Sequence, residues 1–247
     1  MTLEQFFKEN PKIALGFSGG VDSSYLLYAA KAHGADVRPY YIKTAFQPQF
    51  EYDDAMRLAD ELQIPVTVIH VDILSYENVR DNPKDRCYYC KTQLFTALKN
   101  RAIADGYTVL IDGTNASDDA EDRAGMRAIR ELSVRSPLRE CGITKPEVRR
   151  LSMEARLFTW DKPAYACLAT RIPAGDVITA DILKKVEQSE DALFKLGYAD
   201  FRVRIFNGAA RLQFPRAQML RAVEQSGEII DALEPHFDMV LMDLEGR

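Results

Sequence analysis

The sequence lacks an excess of positive charge, since 37 Asp and Glu outnumber 32 Lys and Arg and the formal net charge is -5. Binding to nucleic acid without sequence preference needs a basic surface, and no basic run stands out, so we do not expect nucleic acid as a partner. Long apolar runs are also missing, and the N-terminus MTLEQFFKENPK has no apolar signal-peptide core. These absences predict a soluble cytoplasmic protein that does not contact a membrane.

Cysteine is scarce, with four among 247 residues: Cys87, Cys90, Cys141 and Cys167. A reducing cytoplasm disfavours disulfides, so we expect these residues to be metal ligands, catalytic thiols or core residues. The chain length is sufficient for one α/β domain and a smaller second domain.

Short apolar runs typical of buried strands alternate with helical segments in the first half of the chain. This alternation predicts an α/β fold with a doubly wound parallel sheet. The predicted strands are residues 12–17, 36–43, 65–71 and 107–113, and the predicted helices between them are 22–33, 51–62 and 91–104. From about Thr179 the pattern changes to helix, two strands, helix and strand, which predicts a small α+β domain. We therefore expect domains over residues 1–176 and 177–247.

The stretch GFSGGVDSS, residues 16–24, follows the first predicted strand and begins a helix. The first N–H groups of a helix lack partners and lie at its positive end, so this turn is suited to hold phosphate. Gly19 and Gly20 allow phosphate oxygens to approach without a Cβ in the way. No Lys-Ser or Lys-Thr pair follows, so the loop is not a Walker A motif, and Asp22 is placed to contact a magnesium ion on pyrophosphate. The hydroxyl donors are Ser18, Ser23 and Ser24.

A second polar stretch, IDGTNASDD, ends the fourth predicted strand, where open α/β sheets bind ligands. Its side chains suit either nucleotide and metal binding or an ordinary turn with a helix cap, and residues alone favour neither. The candidates are Asp112, Thr114, Asn115, Asp118 and Asp119, with Asp119 as a candidate magnesium ligand.

The cysteines allow several interpretations. Cys87 and Cys90 are three residues apart, a spacing that lets two sulfurs reach one metal centre, although it also occurs at an ordinary helix start. With Cys167 they could hold an iron–sulfur cluster that has one open iron, whereas tetrahedral zinc would also need Cys141. Cys141 is expected to be a buried structural thiol. Cys167 has Lys162 and Arg171 nearby in sequence, which favours a thiolate that acts as a nucleophile without a cluster.

Several segments resemble known families. SGGVDSS is similar to the PP-loop of ATP pyrophosphatases, the adenine nucleotide alpha hydrolase-like enzymes that cleave ATP between its α and β phosphates, in which a DGTN stretch lies by the ATP. RSPLRECGITKPEVRRL, TWDKPAYACLATRIP, and FRVR followed by ARLQFP resemble the LarE-type ATP-dependent sulfur transferases. The resemblance covers most of the chain. It implies adenylation of pyridinium-3,5-dicarboxylate mononucleotide by ATP and Mg²⁺, then insertion of sulfur to give the nickel-pincer nucleotide used by lactate racemase.

The resemblance also implies roles for particular residues. Cys87, Cys90 and Cys167 match the subtype with three cysteines and a 4Fe–4S cluster, whereas members with only the last cysteine give up its sulfur. Arg202 and Arg204 alternate along a strand and so share a face, which together with the resemblance favours a clamp for the substrate phosphate over a solvated face.

Further candidates are weaker or depart from the family pattern. They are Arg171 for the phosphate, Glu187 or Glu190 for Mg²⁺, and Gln213, which stands where the family often has Glu. The resemblance suggests a homo-oligomer, and the sulfur donor is not identified by the sequence.

Other functions share some of these features. An iron–sulfur tRNA thiolase would keep the PP-loop and Cys-x-x-Cys, but it should carry a basic surface, which the pI near 5.4 does not indicate. Amidation, as in NAD or GMP synthesis, would need an ammonia source, and no glutaminase-like segment is present. A nucleotide or iron–sulfur binding module without turnover is the remaining alternative.

Overall fold

A computed structural model describes residues 1–118 and 124–247, which form two compact units. The large unit comprises residues 1–73 and 85–162, and the small unit comprises residues 74–84 and 163–247. The predicted domain boundary at residues 176/177 stays a prediction.

The described helices are α1 Leu3–Glu9, α2 Val21–Ala32, α3 Gln49–Glu61, α4 Glu77–Arg80, α5 Arg86–Ala104, α6 Ala124–Glu131, α7 Pro137–Glu140, α8 Lys145–Glu154, α9 Ala180–Lys195, α10 Arg216–Glu224 and α11 Ser226–Leu233. The described strands are β1 Lys12–Gly16, β2 Asp36–Lys43, β3 Thr67–His70, β4 Val109–Ile111, β5 Arg202–Phe206, β6 Ala209–Gln213 and β7 Val240–Met242.

The large unit contains a parallel sheet in the order β3-β2-β1-β4 over its described residues. Ile13, Ala14 and Leu15 in β1 are fully buried, because a central parallel strand is covered on both faces. Helix α2 turns Leu26 and Leu27 into the same core. The predicted α/β fold with a parallel sheet is confirmed.

Two helix starts in the large unit matter for the site. Helix α8 begins with a capping box, in which Thr144 is the N-cap and its backbone N–H donates to Glu147 Oε2 at 2.8 Å. Helix α5 begins at Arg86, so the predicted start at residue 91 is wrong. As a consequence Cys87 and Cys90 lie in the first turns of a 19-residue helix.

The small unit contains a sheet in the order β5-β6-β7 over its described residues, with β5 and β6 antiparallel and β6 and β7 parallel. Phe201, Phe214 and Leu193 belong to its core. Helix α11 was not predicted from the sequence. No helix in the described parts of the chain is long and apolar enough to cross a membrane.

Candidate functional site

The loop between β1 and α2 has its hydroxyl groups folded back onto its own backbone. Ser18 Oγ lies 3.1 Å from Ser23 Oγ, and Ser23 Oγ donates to the carbonyl of Gly20 at 3.2 Å. Gly20 is the N-cap of α2, and within the described residues no side chain caps this helix end. Ser24 Oγ is buried and has no hydrogen-bond partner in the described parts of the chain. A helix start with uncapped N–H groups and a buried unpartnered hydroxyl is suited to an anion.

Two glycines let the backbone pack closely around this loop. Gly19 has φ +72°, and a Cβ there would lie 2.8 Å from Ala55 Cβ. A Cβ on Gly113, in the loop after β4, would lie 2.9 Å from the amide nitrogen of Ser23. The loop after β4 therefore passes directly beside the start of α2, which brings the two predicted ligand-binding stretches together.

Replacing Gly19 by alanine should lower the melting temperature and weaken the binding of inorganic pyrophosphate by at least about tenfold. The backbone of residue 19 is left-handed, which disfavours a side chain, and the added methyl group would collide with Ala55, so the loop would have to move. Gly34→Ala is the matched control, because Gly34 has φ +76° but nothing described lies within 4 Å of its Cβ position. Equal affinity of the two variants for pyrophosphate, measured by calorimetry, would contradict anion binding by this loop.

Asp22 lies at the start of α2, where two other elements reach it. Asn115 Nδ2 donates to Asp22 Oδ1 at 3.2 Å, and Lys145 Nζ lies 2.5 Å from Asp22 Oδ2. Lys145 is the first residue of α8 and is not among the site residues predicted from the sequence. Its ammonium group adds a positive charge beside a loop suited to phosphate.

Asp112 is held by hydrogen bonds within and beside the loop after β4. Its side chain is buried and accepts hydrogen bonds from Thr114 Oγ1 at 2.6 Å and Ser136 Oγ at 2.7 Å. These contacts order the loop after β4 and do not themselves support a nucleotide contact by Asp112 or Thr114. Asp118 likewise accepts from the backbone N–H of Asn115 at 3.0 Å. Asp119, the candidate magnesium ligand, lies outside the described residues.

The structure distributes the cysteines over both units. Cys87 is exposed and Cys90 is partly buried, and their spacing of three places them on the same side of α5. Cys141 packs against the core of the large unit, and burial raises the pKa of its thiol. Cys167 lies in the small unit, immediately before the 3-10 turn Leu168–Arg171. In the described parts of the chain no group of three His, Cys, Asp or Glu side chains is arranged to hold a metal ion.

The small unit has a cavity of about 420 Å³ that is rich in arginine. Arg202 and Arg204 both line it, as their alternation on β5 predicts. Burial, followed by the neighbouring charges of Arg171 and Arg247, lowers the pKa of Arg202 to about 10. Burial is also the main cause of a lowered pKa for Arg204. Crowded guanidinium groups in a partly buried cavity favour an anionic ligand. The full lining is Ala164, Tyr165, Ala166, Thr170, Arg202, Arg204, Gln213 and Arg247.

Arg171 and Glu190 form a buried ion pair next to this cavity. Their side chains are 0% and 2% exposed, with Arg171 Nε 2.9 Å from Glu190 Oε1 and Nη2 3.0 Å from Oε2. Glu190 also accepts from the N–H of Val203 and from the hydroxyl of Tyr165. These contacts form a buried network around the ion pair, and the phosphate role of Arg171 and the magnesium role of Glu190 stay predictions.

The cations near Cys167 in the sequence are both paired with carboxylates. Lys162 Nζ lies 2.7 Å from Asp54 Oδ2 and 3.2 Å from Glu51 Oε1, and Arg171 is paired with Glu190. The ion pairs therefore do not support the predicted electropositive surroundings of Cys167.

Known proteins similar to this chain decide its family. Residues 11–109 match the family described as tRNA methyl transferase HUP domain. An uncharacterized protein of a Synechocystis species is 37% identical over 250 residues, covering 99% of this chain and 92% of that protein. A pyridinium-3,5-bisthiocarboxylic acid mononucleotide synthase of Lactiplantibacillus plantarum is 33% identical over 220 residues, or 88% of this chain and 80% of the synthase. The chain belongs to this synthase family.

The similarity to the synthase family extends beyond the parallel sheet. The matching 220 residues are more than the large unit contains, so the match continues into the small unit with its arginine-lined cavity. A tRNA-specific 2-thiouridylase of Clostridium botulinum is 29% identical over 182 residues, which cover 61% of this chain and 52% of the thiouridylase. The HUP match spans β1 to the start of β4 and agrees with the parallel sheet.

Proposed function

We propose that this protein is an ATP-dependent sulfur transferase that converts pyridinium-3,5-dicarboxylate mononucleotide into the bisthiocarboxylic acid mononucleotide. The product is the precursor of the nickel-pincer nucleotide that the LarE-type resemblance implies. The observation that carries this proposal is the match to the synthase of L. plantarum over 88% of this chain, which includes residues of both units.

Activation of the carboxylate is assigned to the large unit. A substrate carboxylate attacks the α-phosphate of ATP, the bond to the β-phosphate breaks, and an acyl-adenylate and pyrophosphate form. The uncapped start of α2 and the loop from Ser18 to Ser24 would bind the departing pyrophosphate, and Lys145 lies beside them. Mg²⁺ prefers oxygen ligands, and the carboxylate of Asp22 is such a ligand, so Asp22 would hold the ion at this loop. When bound, the ion would neutralise charge on the phosphates.

Sulfur transfer is assigned to Cys167. A sulfur nucleophile attacks the activated carbonyl and AMP leaves, because AMP is a far better leaving group than oxide. In the single-cysteine form of the reaction, Cys167 Sγ would displace AMP to form a thioester, and loss of the Cα proton with cleavage of the Cβ–Sγ bond would leave the sulfur on the product and dehydroalanine at position 167. The three thiols of Cys87, Cys90 and Cys167 fit the donor set of a 4Fe–4S cluster with one open iron, and we propose them as its ligands. Such a cluster would supply a site for an additional sulfur atom, so that Cys167 is not consumed.

Recognition of the substrate phosphate is assigned to Arg202 and Arg204. Both guanidinium groups line the cavity of the small unit, and their lowered pKa values reflect burial and neighbouring positive charge that a phosphate dianion would relieve. Gln213 accepts from Arg204 Nε at 2.5 Å and donates to Asp243 Oδ2 at 2.8 Å, so it aligns this arginine without neutralising it.

Binding of a phosphate monoester to the cavity should become tighter as the pH rises from 5 to 7. The second pKa of the phosphate is about 6, so its charge grows over this range, whereas arginine side chains stay charged. Sulfate is the control because its charge is constant, and calorimetry at pH 5 and pH 7 measures both dissociation constants. Equal affinity for the monoester at the two pH values would contradict recognition of its phosphate by the arginines of the cavity.

The proposed reaction is tested by separating AMP from ADP after incubation with Mg²⁺ and ATP. We expect AMP and pyrophosphate only when pyridinium-3,5-dicarboxylate mononucleotide is present. Formation of ADP, or AMP formation that depends on bulk tRNA instead, would contradict the proposal.

We further propose a cytoplasmic homo-oligomer. Light scattering after size exclusion tests the assembly, and a monomeric mass would contradict it.

A further inference from the structure

The aromatic ring of Tyr165 lies against two guanidinium groups in the small unit. The ring centroid is 4.5 Å from Cζ of Arg171 and 4.9 Å from Cζ of Arg202. The hydroxyl of Tyr165 donates to Glu190 Oε2, which fixes the ring at its other end. Tyr165 also lines the arginine-rich cavity. Cation–π contacts of this kind stabilise the position of a guanidinium group, most strongly when they are desolvated.

The Tyr165 ring and two backbone carbonyls together orient Arg202, whose contact with a carboxylate is long. Its Nη2 donates to the carbonyl of Ala164 at 2.7 Å, and its Nη1 donates to the carbonyl of Phe201 at 2.5 Å. Asp200 Oδ1 lies 4.0 Å from Nη1, which is beyond hydrogen-bond distance. The tyrosine ring and two carbonyls therefore hold this guanidinium without neutralising its charge.

The same network holds the backbone of Cys167. Arg171 Nη1 donates to the carbonyl of Ala166 at 2.8 Å and lies 3.4 Å from the carbonyl oxygen of Cys167. The hydroxyl of Thr170 donates to the carbonyl of Cys167 at 2.8 Å. Tyr165 is two residues before Cys167, and its ring contacts both Arg171, which holds this backbone, and Arg202, which lines the cavity.

We propose that Tyr165 is a positioning residue whose ring, through its contacts with Arg171 and Arg202, holds Arg202 toward the cavity in a fixed relation to the backbone of Cys167. This inference rests on the proposed function, in which the cavity binds the phosphate of the mononucleotide substrate. It assigns to Tyr165 an effect on the affinity for the mononucleotide and none on the affinity for ATP.

The test compares Tyr165→Leu, which removes the ring, with Tyr165→Phe, which keeps it. Calorimetry with nicotinic acid mononucleotide, a pyridinium mononucleotide with one carboxylate, measures the dissociation constant. We expect about a tenfold rise for Tyr165→Leu and less than about a threefold rise for Tyr165→Phe, with KM for ATP unchanged in both. A rise in KM for the dicarboxylate substrate that exceeds the fall in kcat is expected for Tyr165→Leu.

Tyr198→Leu is the matched control. Tyr198 is also buried in the small unit, and its ring centroid lies 4.5 Å from Cζ of Arg221. Its hydroxyl donates to Gln225 Oε1, yet Tyr198 does not line the cavity. It should lower the melting temperature without changing the dissociation constant.

Two results would overturn the inference while leaving the proposed function intact: wild-type affinity in Tyr165→Leu, or an equal loss in Tyr165→Phe. Absence of binding by the wild-type protein would overturn the proposed phosphate site itself. Should Tyr165→Leu not fold, Tyr165→Met takes its place, because it also removes the ring but keeps a long apolar side chain. The same tenfold rise is expected, and no rise would contradict the inference.

Discussion

Replacing Cys167 by alanine abolishes sulfur incorporation and leaves pyrophosphate release within about threefold of wild type. Sulfur incorporation and pyrophosphate release should respond differently because the two steps are assigned to different residues. Cys167 is assigned to sulfur transfer, and the loop from Ser18 to Ser24 is assigned to the departing pyrophosphate. Pyrophosphate release is measured with a coupled assay, and sulfur incorporation is measured by mass spectrometry of the nucleotide product.

Cys141→Ala is the control for this experiment. Cys141 packs partly buried against the core of the large unit, and the same substitution there should reduce stability slightly while both activities are retained. Loss of pyrophosphate release in Cys167→Ala, with Cys141→Ala active, would contradict the division of the reaction into two steps.

Replacing Asp22 by asparagine lowers AMP formation by about 10²–10³-fold. The carboxylate lies at the start of α2, between Asn115 and Lys145, and it is the described carboxylate that we assign to Mg²⁺ at this loop. Asparagine keeps the shape and removes the charge, so the metal and Lys145 both lose an anionic partner. The initial rate of AMP formation at saturating ATP and several Mg²⁺ concentrations measures the effect.

Asp60→Asn provides the comparison, because Asp60 is an exposed residue of α3. Its rate should equal that of wild type. An Asp22→Asn variant with more than about a third of the wild-type rate at every Mg²⁺ concentration would show that this carboxylate does not serve the reaction.

The fold of the large unit was predictable because its signals are local. Strand β2 occupies the predicted residues 36–43, and α8 follows its N-cap Thr144, whose spacing from Glu147 is typical of a capping box. The start of α5 was not predictable in the same way, because aromatic and cysteine residues around Cys87 have only moderate helix propensity, and the side chain of Asp85, the N-cap residue, makes no capping hydrogen bond to the described helix. Helix α11 was missed because it follows α10 after a single residue, Gln225, and has Gly227 in its first turn.

Parts of the candidate site were predictable where the spacing of residues within one element determines which side chains lie together. Arg202 and Arg204 share the cavity because residues two apart on a strand face the same side. Lys145 approaches Asp22 across 123 residues of sequence, and no pattern within the sequence indicates such a contact. Arg171 and Glu190 lie 19 residues apart, and no local pattern indicates that they pair, because a buried ion pair and a ligand-binding site contain the same residue types.

The most direct test of the account is anaerobic incubation with Mg²⁺, ATP and pyridinium-3,5-dicarboxylate mononucleotide after reconstitution with iron and sulfide. AMP is quantified alongside the mass of the nucleotide product and the iron content of the protein. We expect AMP, a product in which sulfur has replaced carboxyl oxygen, and an iron content that Cys87→Ala lowers. AMP without sulfur in the product, or no AMP at all, would contradict the account.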